Sequence, residues 1–124
     1  MNTCRLLMLA TLATSAAAAC PSAMAKGLVA YYQVGGDSTP GVKWDTHVID
    51  SDSLIRDGIY IRYKSFIITS HGSSPPQEAK ADCKSRQHAL ASDTSTYATY
   101  PGTIAGEEVR VACELAEQRG LLKD

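Results

Sequence analysis

Apolar and polar residues alternate most regularly between residues 59 and 69, and this period of two predicts an extended strand. One face of the strand would carry Ile59, Ile61, Tyr63 and Ile67. The other would carry Tyr60, Arg62, Lys64, Phe66 and Ile68. The second face is therefore charged at one end and apolar at the other.

Two further strands are predicted upstream. Aromatic and β-branched residues crowd residues 28–34 before a Gly-Gly pair, and residues 42–50 alternate again. Turn-forming residues separate the two at 37–41. The Asp-rich stretch 50–53 predicts a turn or one helical turn, and Asp57-Gly58 predicts a hairpin.

Downstream, residues 71–76 predict a loop, and the composition of residues 77–91 fits a helix or a strand. We interpret 77–91 as a single strand, because Ala81, Cys83, Ser85 and Ala89 would then share a face of small residues. Ser, Thr and Tyr dominate residues 92–102, which predicts irregular chain with one short strand near residues 97–100.

From Ala105 onwards the apolar period becomes helical. The apolar stripe consists of Val109, Ala112, Cys113 and Ala116. Glu107 and Glu108 suit the first turn of this helix, and Gly120 suits its end. The predicted fold class is α+β, a meander of antiparallel strands with one carboxy-terminal α-helix on one face.

The start of the chain has the pattern of a secretion signal. Arg5 precedes an apolar stretch at 6–13, and Ala23-Met24-Ala25 is a small-x-small cleavage site. We predict a signal peptide at 1–25 and one domain at 26–124, exported to the periplasm, the cell surface or the medium, with no transmembrane segment. A competing interpretation makes Cys20 a lipidated amino terminus, although Ala17 stands where leucine is usual.

Cysteine usage fits export, because cleavage after Ala25 removes Cys4 and Cys20 and leaves Cys83 and Cys113. In an oxidising compartment we expect this pair to form a disulfide that staples the helix to the sheet. The alternative is a pair of buried free thiols. The full chain has 12 basic and 13 acidic residues, and removal of Arg5 with the signal leaves the domain slightly more negative. A nucleic-acid partner is therefore not expected.

No catalytic or metal-binding pattern is present in the sequence, and no cofactor is implied. His47, His71 and His88 lie in separate segments without ligand spacing, and we interpret each as a solvated surface residue. The Asp residues at 45–57 do not match a calcium-binding loop and suit turns instead. A pair of glycosidase carboxylates is not excluded, but no pair is singled out.

One surface feature suggests binding. Arg62 and Lys64 share one strand face, and Lys84, Arg86 and His88 share another, so neighbouring strands would join them into a basic patch. Such a patch suits an acidic polymer or an acidic stretch of a protein. The alternative is an ordinary solvated sheet face, which Asp82 in the same row supports.

Residues 52–63 enter a long strand through Ser53 and Gly58, and residues 81–86 contain Asp-Cys-x-x-Arg. Residues 100–113 contain Pro-Gly-Thr before the last helix and its cysteine. These three stretches resemble the bacterial surface-adhesin protein E family. The resemblance implies a sheet of about six strands with a bridged helix. It also implies an adhesin for host matrix or serum proteins, with a homodimer as a further expectation.

Together these features predict an exported, non-enzymatic binding protein that uses an exposed sheet face. The alternative is a periplasmic structural, inhibitor or envelope-stress protein without a host ligand.

Overall fold

The alternating segments build an antiparallel sheet in the computed structural model, which describes residues 27–35 and 44–123. Its strands are β1 (Leu28–Gly35), β2 (Trp44–Asp57), β3 (Tyr60–Thr69), β4 (Gly72–Ser73), β5 (Gln77–Asp82), β6 (Gln87–Leu90) and β7 (Tyr97–Ala98), and helix α1 (Ile104–Gln118) follows. The strand order is β1-β2-β3-β5-β6-β7, with β4 added beside β3. The predicted α+β class is therefore confirmed. The predicted signal peptide with Cys20 and the predicted turn at 37–41 lie outside the described residues.

The hairpin between β2 and β3 forms where Asp57-Gly58 predicted it. Asp57 pairs with Tyr60 across a two-residue loop. Gly58 has a φ of 62°, a left-handed conformation that glycine adopts without a Cβ penalty.

The predicted turn at 50–53 is wrong, because β2 continues through it with an irregular register between Asp50 and Ile55. The Ser53 hydroxyl donates to the Asp50 carbonyl oxygen at 2.6 Å and accepts from the Lys64 N–H at 2.7 Å. The Ser53 side chain thus forms hydrogen bonds with nearby backbone groups, as side chains in turns do. Here these bonds replace backbone hydrogen bonds between β2 and β3 that the bulge interrupts, and the strand continues.

The single strand predicted at 77–91 is also wrong, because the chain reverses at 83–86 and forms the β5–β6 hairpin. The Asp82 carboxylate accepts hydrogen bonds from the backbone N–H groups of Lys84 at 3.0 Å and Ser85 at 3.3 Å. Arg86 completes the turn with a φ of 56°. Alternation continues in both arms of a hairpin, so a period of two alone does not locate the reversal.

Helix α1 packs on one face of the sheet through the predicted stripe. All four stripe residues are buried, and they meet a set of buried sheet residues: Ile49, Leu54, Ile61, Tyr63, Ala79 and Ala81. Ala79 and Ala81 leave room for the helix to approach β5. Burying each of the larger apolar side chains contributes about 1.5–3 kcal/mol, before the entropy cost of folding is counted.

The predicted disulfide between Cys83 and Cys113 is confirmed, with Cα atoms 5.8 Å apart. Cys83 lies in the turn after β5 and not within a strand. The bond therefore ties the tip of the β5–β6 hairpin to the middle of the helix.

Both ends of α1 are capped. The Thr103 hydroxyl accepts the Gly106 N–H at 3.0 Å, and at the other end the Gly120 and Leu121 N–H groups donate to the Glu117 and Ala116 carbonyls. The predicted helix end at Gly120 is thus confirmed. Among residues 27–35 and 44–123, no helix combines the length and apolar character needed to cross a membrane.

Candidate functional site

A buried carboxylate, Glu108, lies where the helix meets the sheet, with its side chain 8% exposed. Its Oε1 accepts a hydrogen bond from the Tyr31 hydroxyl at 2.8 Å. Its Oε2 accepts from the Tyr63 hydroxyl at 2.5 Å and lies 2.5 Å from His88 Nε2. We call Glu108, Tyr31, Tyr63 and His88 the Glu108 cluster.

The cluster joins four elements of the fold. Tyr31 is on β1, Tyr63 on β3, His88 on β6 and Glu108 in the first half of α1. The period of two turns Tyr63 toward the helix together with Ile61, and the pairing of His88 with Ala81 turns His88 to the same side. The register of β3, β5 and β6 therefore brings Tyr63 and His88 to the side of the sheet that meets Glu108, and Tyr31 joins them from the irregular part of β1.

The electrostatics of the cluster keep Glu108 ionised. Burial raises the pKa of Glu108, but the hydrogen bond and charge of His88 and the two tyrosine hydroxyls outweigh burial and hold that pKa below its ordinary value. Burial, followed by the Glu108 charge, raises the pKa of Tyr31 and Tyr63 above the ordinary range. The phenols therefore stay protonated and donate, and the imidazole presents an N–H to the anion.

The sequence placed Glu108 with Glu107 as an acid suited to the helix dipole and missed its burial. Glu107 fits that expectation and pairs with Arg110 at 3.1 Å. A spacing of four from Ala112 places Glu108 on the apolar stripe, and this was the available indication. The prediction of a solvated histidine holds for His71, which is exposed, and is wrong for His47 and His88.

Beside the cluster, a cleft of about 360 Å³ opens between the start of α1 and the sheet. We call it the helix cleft, and its lining consists of Tyr31, His47, Ser65, Phe66, Ile67, Ser74, Pro75, Gln77, Ile104 and Glu108. His47 is only 9% exposed, and its ring meets the rings of Tyr31 and Tyr32 edge-on at centroid distances of 5.8 and 6.0 Å.

A second depression lies at the tip of the β2–β3 hairpin, about 280 Å³ in volume. We call it the hairpin groove, and its lining consists of Arg56, Gly58, Ile59, Tyr60, Ile61, Asp82, Cys83, Lys84 and Leu122. Ile59 stands in the turn with 70% of its surface exposed, and Leu122 is also exposed. The Arg56 guanidinium is engaged with the carbonyl oxygens of Leu121 and Lys123.

The five residues of the predicted basic patch occupy three different settings. Arg62 and Lys64 are on β3, and Arg62 pairs with Asp57 at 3.2 Å and Glu78 at 3.3 Å. Lys84 and Arg86 are in the β5–β6 turn, where Lys84 lines the hairpin groove. His88 faces the helix and contacts Glu108.

Comparison of the chain with protein-family models, with curated proteins and with solved structures gave no match. Within the described residues, no group of three or more His, Cys, Asp or Glu side chains is arranged to hold a metal ion. The candidate sites are therefore defined by their own geometry: an anionic helix cleft and a largely apolar hairpin groove.

Proposed function

We propose that this chain is an exported, non-enzymatic binding protein that recognises a protein partner through the hairpin groove. The observation that carries the proposal is Ile59, a large aliphatic side chain 70% exposed at a turn and next to a groove with an apolar lining. An exposed apolar patch beside a concavity is typical of an interaction surface.

The charges around the groove favour a partner with an acidic residue near its apolar anchor. Lys84 on the rim is exposed. The Asp82 carboxylate is already engaged by the backbone N–H groups of Lys84 and Ser85. A partner carboxylate near Lys84 would gain a favourable interaction at the rim, which affects association rate and salt dependence more than affinity.

The groove suits binding better than the predicted sheet face does. The charge of Arg62 on that face is opposed by Asp57 and Glu78, so its attraction for an acidic polymer is reduced. The lining of the groove also favours a folded protein over a polyanion, because a polyanion offers little to Ile59 and Leu122.

The proposal includes export to the periplasm, the cell surface or the medium. The predicted signal peptide and the disulfide both suit an oxidising compartment. The resemblance to the surface-adhesin protein E family adds host matrix and serum proteins as the expected partners and a homodimer as a further prediction.

Surface plasmon resonance with purified matrix and serum proteins, and heparin as an acidic polymer, tests the proposal. We expect Ile59→Asp to weaken binding at least tenfold, about 1.4 kcal/mol, because it places a charge on the apolar anchor. Lys84→Glu should slow association and flatten its salt dependence. Lys64→Glu, on the sheet face, is the matched control and should change little.

Two outcomes contradict the proposal. Loss of binding in the Lys64→Glu variant with retention in Ile59→Asp would move the site to the sheet face. Absence of binding to every protein tested, with a purely periplasmic pool in cell fractionation, would favour the structural or envelope-stress alternative.

A further inference from the structure

The helix cleft contains polar groups that the protein itself leaves unsatisfied. His47 and Ser65 line it and are each only 9% exposed, and in the described part of the chain neither side chain has a hydrogen-bond partner. By contrast, the hydroxyl of Ser74 at the rim accepts the Ile67 N–H at 2.9 Å. Polar groups of nearly buried residues bond to the protein or to ordered water, so His47 and Ser65 are available to a ligand that replaces water in the cleft.

These groups open into the cleft. Among the described residues, the one enclosed side-chain nitrogen or oxygen without a partner is Arg62 Nε. The polar atoms of His47 and Ser65 therefore remain reachable from the cleft that they line. A ligand there would find an imidazole and a hydroxyl on the sheet side.

The charge of the cleft selects the class of ligand. Glu108 contributes a carboxylate, and neither lysine nor arginine is among the lining residues. A carboxylate has about four acceptor positions, of which Tyr31, Tyr63 and His88 use three. An acceptor position on this carboxylate therefore remains for a donor in the cleft, whereas an anionic ligand would find no lysine or arginine among the lining residues.

The walls suit an organic cation better than a bare metal ion. Tyr31 and Phe66 offer aromatic rings, and Ile67, Pro75 and Ile104 offer apolar surface. Aromatic rings attract cations through their quadrupole, while a hard metal ion needs several oxygen ligands. The volume of about 360 Å³ lies in the range of small-molecule sites.

We propose that the helix cleft is a binding site for a small organic cation, a primary or methylated amine, held by Glu108 and the aromatic walls and hydrogen-bonded by His47 and Ser65. This site is separate from the hairpin groove, and the proposal for it does not depend on whether a protein partner binds in that groove.

Calorimetric titration of the protein with choline and cadaverine tests the proposal, with 3,3-dimethyl-1-butanol as the uncharged isostere of choline. We expect at least one of the two cations to bind with a Kd of roughly 1 mM or tighter, and the isostere to bind at least tenfold more weakly. Amide shifts in nuclear magnetic resonance spectra should map to residues that line the cleft. Measurable binding of choline that its isostere equals, or no binding of either cation at roughly 10 mM, would overturn the proposal.

Cation binding by variants at several lining residues tests whether the ligand occupies the helix cleft. Glu108→Gln should weaken cation binding at least tenfold, and Ser65→Ala should weaken it less. Ser73→Ala, at an exposed serine of β4, is the matched control for Ser65→Ala and should bind as the wild type does. If Glu108→Gln does not fold, His47→Phe replaces it as the variant that removes a cleft hydrogen bond. Shifts that map away from the cleft, or unchanged binding in both Ser65→Ala and the Glu108 or His47 variant, would refute the assignment.

Discussion

At the scale of single residues, the buried side chain of Glu108 is held by contacts with three other side chains. Moving a carboxylate out of water is costly, and the cost is offset here by two phenol donors and an imidazole. Removing the carboxylate would leave the Tyr63 hydroxyl, which is itself buried, without its acceptor. The cluster should therefore respond to substitution as a unit.

We expect Glu108→Gln to lower the free energy of unfolding at pH 7 by about 2 kcal/mol, because hydrogen bonds to a buried charge are lost. The pKa of Glu108 is lowered in the folded protein, so its contribution is complete above the unfolded value of about 4.3 and is lost as the pH falls through the folded value. Urea denaturation from pH 7 to pH 3 should show the difference between wild type and variant shrinking as acid is added. Glu117→Gln on the exposed helix face is the control, and a pH-independent difference would refute this account.

Gly106 is fixed by its surroundings and not by helix preference. A Cβ placed there would lie 1.9 Å from the Tyr100 carbonyl oxygen, which is backbone and cannot rotate away. Alanine is the better helix former by about 1 kcal/mol, yet we expect Gly106→Ala to destabilise the protein by about 2 kcal/mol. Thermal unfolding measures this, with Glu117→Ala as a helix control. A variant as stable as the wild type would show that the loop before the helix yields freely.

At the scale of elements, the helix is attached to the sheet at several points along its length. The Glu108 cluster holds the first half and the disulfide holds the middle. At the end, the Arg119 guanidinium donates to the carbonyl oxygen of Ser51 and, at 3.2 Å, to its hydroxyl. Each attachment joins the helix to a different strand or turn, so the sheet and the helix should unfold together.

Removal of the disulfide should cost about 3–4 kcal/mol, on the model in which the bond restricts the unfolded chain. The double variant Cys83→Ser/Cys113→Ser should therefore unfold at a lower guanidinium concentration than the oxidised wild type. Reductant should lower the wild-type midpoint to about that of the variant and leave the variant unchanged. Equal midpoints for oxidised and reduced wild type would mean that the helix is held without the bond.

At the scale of the whole molecule, local patterns were enough to predict the α+β class, the β2–β3 hairpin, the helix and the disulfide. Asp57-Gly58 and the stripe around Val109 depend on residue type and spacing alone, whereas the pairing of Cys83 with Cys113 also depended on the predicted removal of Cys4 and Cys20 with the signal peptide. The strand boundaries that depend on hydrogen bonds of a single side chain were not predicted. Asp82 reverses the chain within an alternating segment, and Ser53 maintains a strand through a segment rich in turn residues.

The candidate site was beyond the reach of sequence patterns for a different reason. Tyr31 and Glu108 are 77 residues apart in the chain, and only the strand order brings them together. His88 was placed in a basic patch because the reversal after Asp82 was not foreseen. With the β5–β6 hairpin in place, the same residue turns toward the helix and becomes a partner of the carboxylate.

The most direct test of this account is a nuclear magnetic resonance titration of the Glu108 side-chain carboxyl in the oxidised protein. If three donors surround the carboxylate, its titration midpoint lies below the value of about 4.3 found for an unperturbed glutamate. A midpoint at or above that value would mean that burial prevails over the hydrogen bonds, and the Glu108 cluster would not hold the helix as described.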